Sequence, residues 1–85
     1  MKMSEYDMPE YTKKALDLYV SDRIPTGGFL CAVLTNDLFE AVGRADIQNR
    51  YALFQICNYI YNEIPSTCWG SPERVREWLK GGEET

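Results

Sequence analysis

Two Ile-Pro steps, Ile24-Pro25 and Ile64-Pro65, constrain this 85-residue chain more than any other feature. A residue before proline is pushed out of the α region, so a helix ends at or before each step. Around them apolar residues recur at helical spacing, with no sustained alternation of β-branched residues. The punctuation predicts four helices, over about 9–22, 27–43, 46–64 and 72–80. Asp7 with Glu10 three residues on reads as a capping box, and Pro9 fits a first turn. Thr26 and Asp46 are the N-caps expected for the second and third helices. Ser71-Pro72-Glu73 opens the fourth, and Gly81-Gly82 closes it. The short link Gly43-Arg44-Ala45-Asp46 predicts an antiparallel helical hairpin. The expected fold is therefore all-α: one domain over 1–85, with the terminal helices packed across a central hairpin.

Surface scaling lets a chain of this size bury about 64% of its unfolded surface, which is one small core and no deep cleft. Hydrophobic residues are 45% and charged residues 26%, too apolar for disorder and without a membrane-length run. No secretory signal is visible at the N-terminus. The net charge of −4 lacks the basic footprint of a duplex-binding domain. Histidine is absent, which removes Ser-His-Asp and Cys-His nucleophile activation and His-containing zinc sites. Cys31, Cys57 and Cys68 form no Cys-x-x-Cys, and their odd number fits neither a disulfide framework nor a four-ligand metal site. Cys31 and Cys57 fall in apolar surroundings and read as small hydrophobes, in a reducing, cytoplasmic setting. No metal, cofactor or catalytic group is expected, so the chain reads as a non-enzyme.

On the second helix, Leu30, Leu34, Leu38, Ala41 and Val42 share one arc, while Phe29, Ala32 and Phe39 form another toward the opposite side. A helix apolar on two sides is covered on two sides. With 13% aromatic residues, this points to a homo-oligomer with Phe29 and Phe39 at its interface. A monomer wrapped by its terminal helices is the alternative. The third helix has a broad apolar arc from Ile47 through Tyr51, Leu53, Phe54, Cys57, Ile60 and Tyr61 to Ile64. Ile56 lies outside it. Arg50 projects into the arc, and a buried guanidinium must be paired. Glu40 across the hairpin is the expected partner. Asp37, Glu40, Arg44, Arg50 and Asn58 then form a polar cluster, either an ion-pair network fixing helix register or a binding site.

Thr26-Gly27-Gly28 offers backbone N–H groups at a helix start, suited to an anion, but is not a Walker A loop. Trp69 reads as a core plug and Tyr59 as a surface anchor.

Ile24-Pro25-Thr26-Gly27-Gly28-Phe29-Leu30, Ala32-Val33-Leu34, Asn36-Asp37-Leu38, Gly43-Arg44-Ala45-Asp46, Tyr61-Asn62-Glu63-Ile64-Pro65 and Cys68-Trp69-Gly70-Ser71 resemble a group of small tailed-phage proteins. Glu40-Ala41, Asn49-Arg50 and the closing Trp78-Leu79 extend the likeness over about 8–80. The group is the anti-CBASS sponges, which sequester cyclic nucleotide signals of bacterial immunity. The resemblance implies an oligomeric all-α protein with ligand pockets between protomers. It implies a phosphate contact at Thr26, Gly27 and Gly28, completed by Tyr11 and a nearby base, Lys14 or Arg23. Two alternatives stand beside it: a phage accessory protein that binds and inhibits a host protein, and a virion or assembly component.

Overall fold

The computed structural model describes residues 6–81. They form α1 (Glu10–Asp22), α2 (Gly28–Leu34), α3 (Leu38–Arg44), α4 (Ile47–Tyr51), α5 (Leu53–Glu63), a 3-10 turn (Ser66–Cys68) and α6 (Pro72–Lys80). No strand occurs among the described residues. The all-α expectation holds, and the four expected helices become six.

The second expected helix is cut at Asn36-Asp37. Asn36 takes a left-handed conformation (φ 70°), which asparagine tolerates better than most residues. The Asp37 N–H then donates to Ala32 O at 2.8 Å, a six-to-one closure of α2. The same Asp37 caps α3, its carboxylate accepting from the Glu40 N–H at 3.4 Å. The third expected helix bends at Ala52, whose N–H is shared between Gln48 O and Asn49 O at 3.1 and 3.2 Å. Asp46 caps α4 and Ser71 caps α6, as their sequence contexts predict. Asp7 does not cap α1. Pro9 precedes that helix, which has no side-chain cap bond. Gly27, not Thr26, is the cap position of α2, at φ +100°.

The core is drawn from Leu16 and Tyr19 of α1, Leu30 and Leu34 of α2, Ile56 and Ile60 of α5, with Ile64, Cys68 and Val75. Both segments of the expected hairpin contribute to it, through α2 and α5, while α3 adds only the buried Ala41 beside this cluster. The stripe that α5 buries is Ile56, Ile60 and Ile64, spaced by four. The broad arc expected to face inward is split: Ile60 and Ile64 are buried, whereas Ile47, Tyr51, Phe54 and Tyr61 are 63–86% exposed. Apolar density on the helix therefore marked both the core and an exposed face.

Polar groups tie the layers together. The Tyr19 hydroxyl donates to Cys68 O at 2.7 Å, and burial pushes its ionisation well above the usual phenol range. Trp69 is partly buried against the core, and its Nε1 donates to Ile64 O at 3.0 Å. Gly70, at φ +116°, donates its N–H to Leu34 O at 2.7 Å and so fixes this loop against α2. Arg23 ends α1 in a left-handed conformation (φ 58°). Its guanidinium lies 3.8 Å from the Trp78 ring centroid and donates to Trp78 O at 2.9 Å. Trp78 Nε1 returns a bond to Tyr19 O at 2.9 Å, locking α6 onto α1.

Candidate functional site

The sequence singles out Tyr11 on α1 and Thr26 to Gly28 at the start of α2, and the fold brings them together. Tyr11, Thr26 and Gly28 line one surface depression of about 220 Å³, with Thr12, Ala15, Phe29, Leu30 and Asn49. Tyr11 is 52% exposed, so its ring presents a face to solvent. Its hydroxyl is held by Asp46 Oδ2 at 2.6 Å, with Gln48 Oε1 at 3.3 Å. This bond, with the N–H groups of Asn49 and Gln48, holds the Asp46 carboxyl below the usual carboxylate range. The carboxylate in turn pushes the Tyr11 phenol up, with burial adding to the effect. Beneath Tyr11, the Thr12 hydroxyl donates to Asn49 Oδ1 at 2.6 Å, with both residues buried. The cap at Asp46 thus anchors α4 to α1 and fixes one wall of the depression.

Gly28 admits a close neighbour. A Cβ there would stand 3.1 Å from Arg44 Nη1, so the Arg44 side chain lies directly on the glycine backbone. Arg44 also pairs with Glu40, Nε to Oε2 at 2.5 Å, one turn away on α3. A cation therefore borders the start of α2, and it is not the one the sequence suggested. Arg23 is occupied on Trp78. Lys14 is exposed on α1 and does not line the depression.

The expected polar cluster is dispersed. Arg50 does not pair with Glu40; it is exposed, and its Nη2 reaches Ala45 O at 3.4 Å. It stays outside because the part of the arc it projects from faces solvent. Asp37 is a helix cap, Glu40 and Arg44 form a half-exposed pair, and Asn58 accepts from Asn62 Nδ2 at 3.0 Å on α5. Of the two phenylalanines assigned to an interface, Phe39 is 86% exposed, whereas Phe29 is partly buried against the core. Cys31 and Cys57 are exposed rather than core hydrophobes, and only Cys68 is buried. Tyr59 is half-buried and donates to Asp17 Oδ1 at 2.7 Å; Tyr6 packs edge-on at 5.2 Å, and Lys13 lies over its ring.

Three features had no readable signal. Thr12 and Asn49 are 37 positions apart and meet only through packing. Arg44 reaches Gly28 only because the break at Asn36 lets α3 turn. A second, apolar depression of about 360 Å³ is lined by Val33, Phe54, Cys57, Tyr61 and Trp69, with Asn36, Asn58 and Ile60. Among the described residues, no helix is long and apolar enough to cross a membrane, and no three His, Cys, Asp or Glu side chains group as metal ligands. Comparison with protein-family models, curated proteins and solved structures finds no match to this chain.

Proposed function

We propose that this is a phage-encoded, non-enzymatic protein that captures cyclic nucleotide second messengers between two copies of the chain, in the host cytoplasm. The observation that carries the reading is the juxtaposition of an exposed Tyr11 ring with the Thr26–Gly28 backbone and the Arg44 guanidinium. An aromatic face stacks a base of any sequence, an interaction of about 1–3 kcal/mol per base. A guanidinium at this turn suits a phosphate, which it can bind through two N–H groups. The depression, at about 220 Å³, is smaller than the ~300–1,000 Å³ of ordinary ligand sites, and in this reading a second copy completes it. The resemblance to the anti-CBASS sponges supplies the choice of cyclic nucleotides among phosphate-bearing ligands.

A thermal-shift screen of linear and cyclic nucleotides tests this reading. Ligand at 100 times its dissociation constant stabilises by about 2.7 kcal/mol. Tyr11→Ala and Arg44→Ala are expected to abolish the shift, and the ligand is released chemically intact on denaturation. Degraded ligand would make the protein an enzyme. The exposed aromatics of α4 and α5 favour a second reading, inhibition of a host protein through an aromatic surface. Absence of any cyclic-nucleotide shift, together with a host protein recovered by pull-down, would favour it.

A further inference from the structure

The apolar depression between α2 and α5 continues into a smaller one lined by Leu38, Ala41 and Leu53; the two share Val33, Asn36 and Cys57. No Asp, Glu, Lys or Arg lines either part, in a chain whose charged residues are 26% of the total. Depletion of charge at the centre of a patch is the compositional mark of a protein–protein contact. It also argues against a phosphate-bearing ligand here, since no cation faces the groove. A basic partner is equally unsupported, because no carboxylate faces it either.

The surface left uncovered is large. Phe54 and Tyr61, 74% and 73% exposed, line the groove, and Leu38, 57% exposed, stands at its α3 end. Phe39, next on α3, is 86% exposed, and Val42 lies between the two on the same ~100° arc. With aromatic side chains of ~150–250 Å² each, these residues leave on the order of 500–600 Å² of apolar surface open. A standard interface takes ~800 Å² from each partner, of which ~65% is apolar at its core. One copy of this face therefore supplies the apolar area that a stable dimer needs. A protruding aromatic and a receiving groove lie side by side on it, the arrangement in which a two-fold axis seats each protrusion in the other copy's groove.

We infer that the groove receives Phe39 of a second copy of this chain, reciprocally across a two-fold axis. The inference rests on the assembly proposed above, but not on its ligand.

Two native thiols read it out. Cys57 lies in the groove; Cys31, two residues before Val33, falls on the opposite side of α2 and serves as the control. Maleimide labelling of the wild-type protein, followed by peptide mapping, is compared across a dilution series and with Phe39→Asp. Circular dichroism checks that the variant is folded. At a concentration leaving a tenth of the chain unassociated, Cys57 labels roughly tenfold more slowly than on dilution, by mass action. Phe39→Asp abolishes this protection and reduces the mass by light scattering to that of one chain, while Cys31 labels equally in all samples. A wild-type monomer at all concentrations would overturn the inference. So would an oligomer whose Cys57 labels as fast as that of Phe39→Asp, which would put the contact elsewhere. A protected, Phe39-dependent dimer that binds no nucleotide would uphold the docking and refute only the capture reading.

Discussion

Replacing Thr12 by valine is expected to destabilise the fold far more than its small change in shape suggests. Thr12 and Asn49 are 2% and 6% exposed, and the hydroxyl donates to Asn49 Oδ1 at 2.6 Å. Valine keeps the volume and removes the only donor on that side chain. Asn49 Oδ1 is then left without its partner, at a cost of about 1–3 kcal/mol. For a domain of this size, each kcal/mol moves the melting temperature by about 4–8 °C. Thr12→Ser keeps the donor and loses one methyl, a cost of about 0.8 kcal/mol. Asn49→Leu in the Thr12→Val background removes both polar partners and is expected to recover part of the loss. Urea denaturation of the four proteins yields the free energies. The reasoning fails if Thr12→Val is as stable as wild type, or if the double variant is the least stable of the set.

Other consequences are direct. Arg50→Ala changes stability by less than about 0.5 kcal/mol, the range of an exposed substitution, and not by the ~3–5 kcal/mol of a broken buried pair; thermal denaturation distinguishes the two. The Tyr59 phenol is pushed up to about 12, chiefly by burial and then by its bond to Asp17. A raised folded value gives stability that is complete below the unfolded phenol's ~10 and is lost as pH rises through about 12. Spectrophotometric titration of Tyr59→Phe should therefore lack a phenol ionising near 12, while Tyr19, pushed further up by burial, is unaffected. Asp46 has the opposite sign: its contribution is complete above the unfolded carboxylate's ~3.9 and fades as pH falls through its lower folded value. Asp46→Asn should accordingly flatten the acid limb of the stability profile, measured by chemical denaturation from pH 6 downward.

Much of the helical outline was legible because caps and prolines act locally. Asp46, Ser71-Pro72 and the two Ile-Pro steps mark real boundaries, and each acts within one turn of itself. Asn36-Asp37 carried its signal too, a left-handed residue followed by an N-cap, but the leucine spacing of Leu30, Leu34 and Leu38 ran across it and dominated the reading. The break moves Leu38 from the core arc to the surface, where it is 57% exposed. On α5, side-chain bulk misled in the same way. Phe54 and Tyr61 widened the expected arc, yet only its Ile60 and Ile64 are enclosed, together with Ile56 from outside it. Arg50 was misplaced with that arc. Within the candidate site, Thr26 and Gly28 were nameable as a Thr-Gly-Gly helix start, and Tyr11 only through the family resemblance. Arg44, Thr12 and Asn49 reach the same place only through packing between segments distant in sequence, which no local pattern records.

Native mass spectrometry of the wild-type protein mixed with a cyclic dinucleotide tests the central claim most directly, because it weighs assembly and ligand in one spectrum. The account predicts intact cyclic nucleotide retained on an oligomer, and none on the 9.8 kDa single chain. Ligand bound to the single chain, or an oligomer that retains no cyclic nucleotide at saturating concentration, would contradict it.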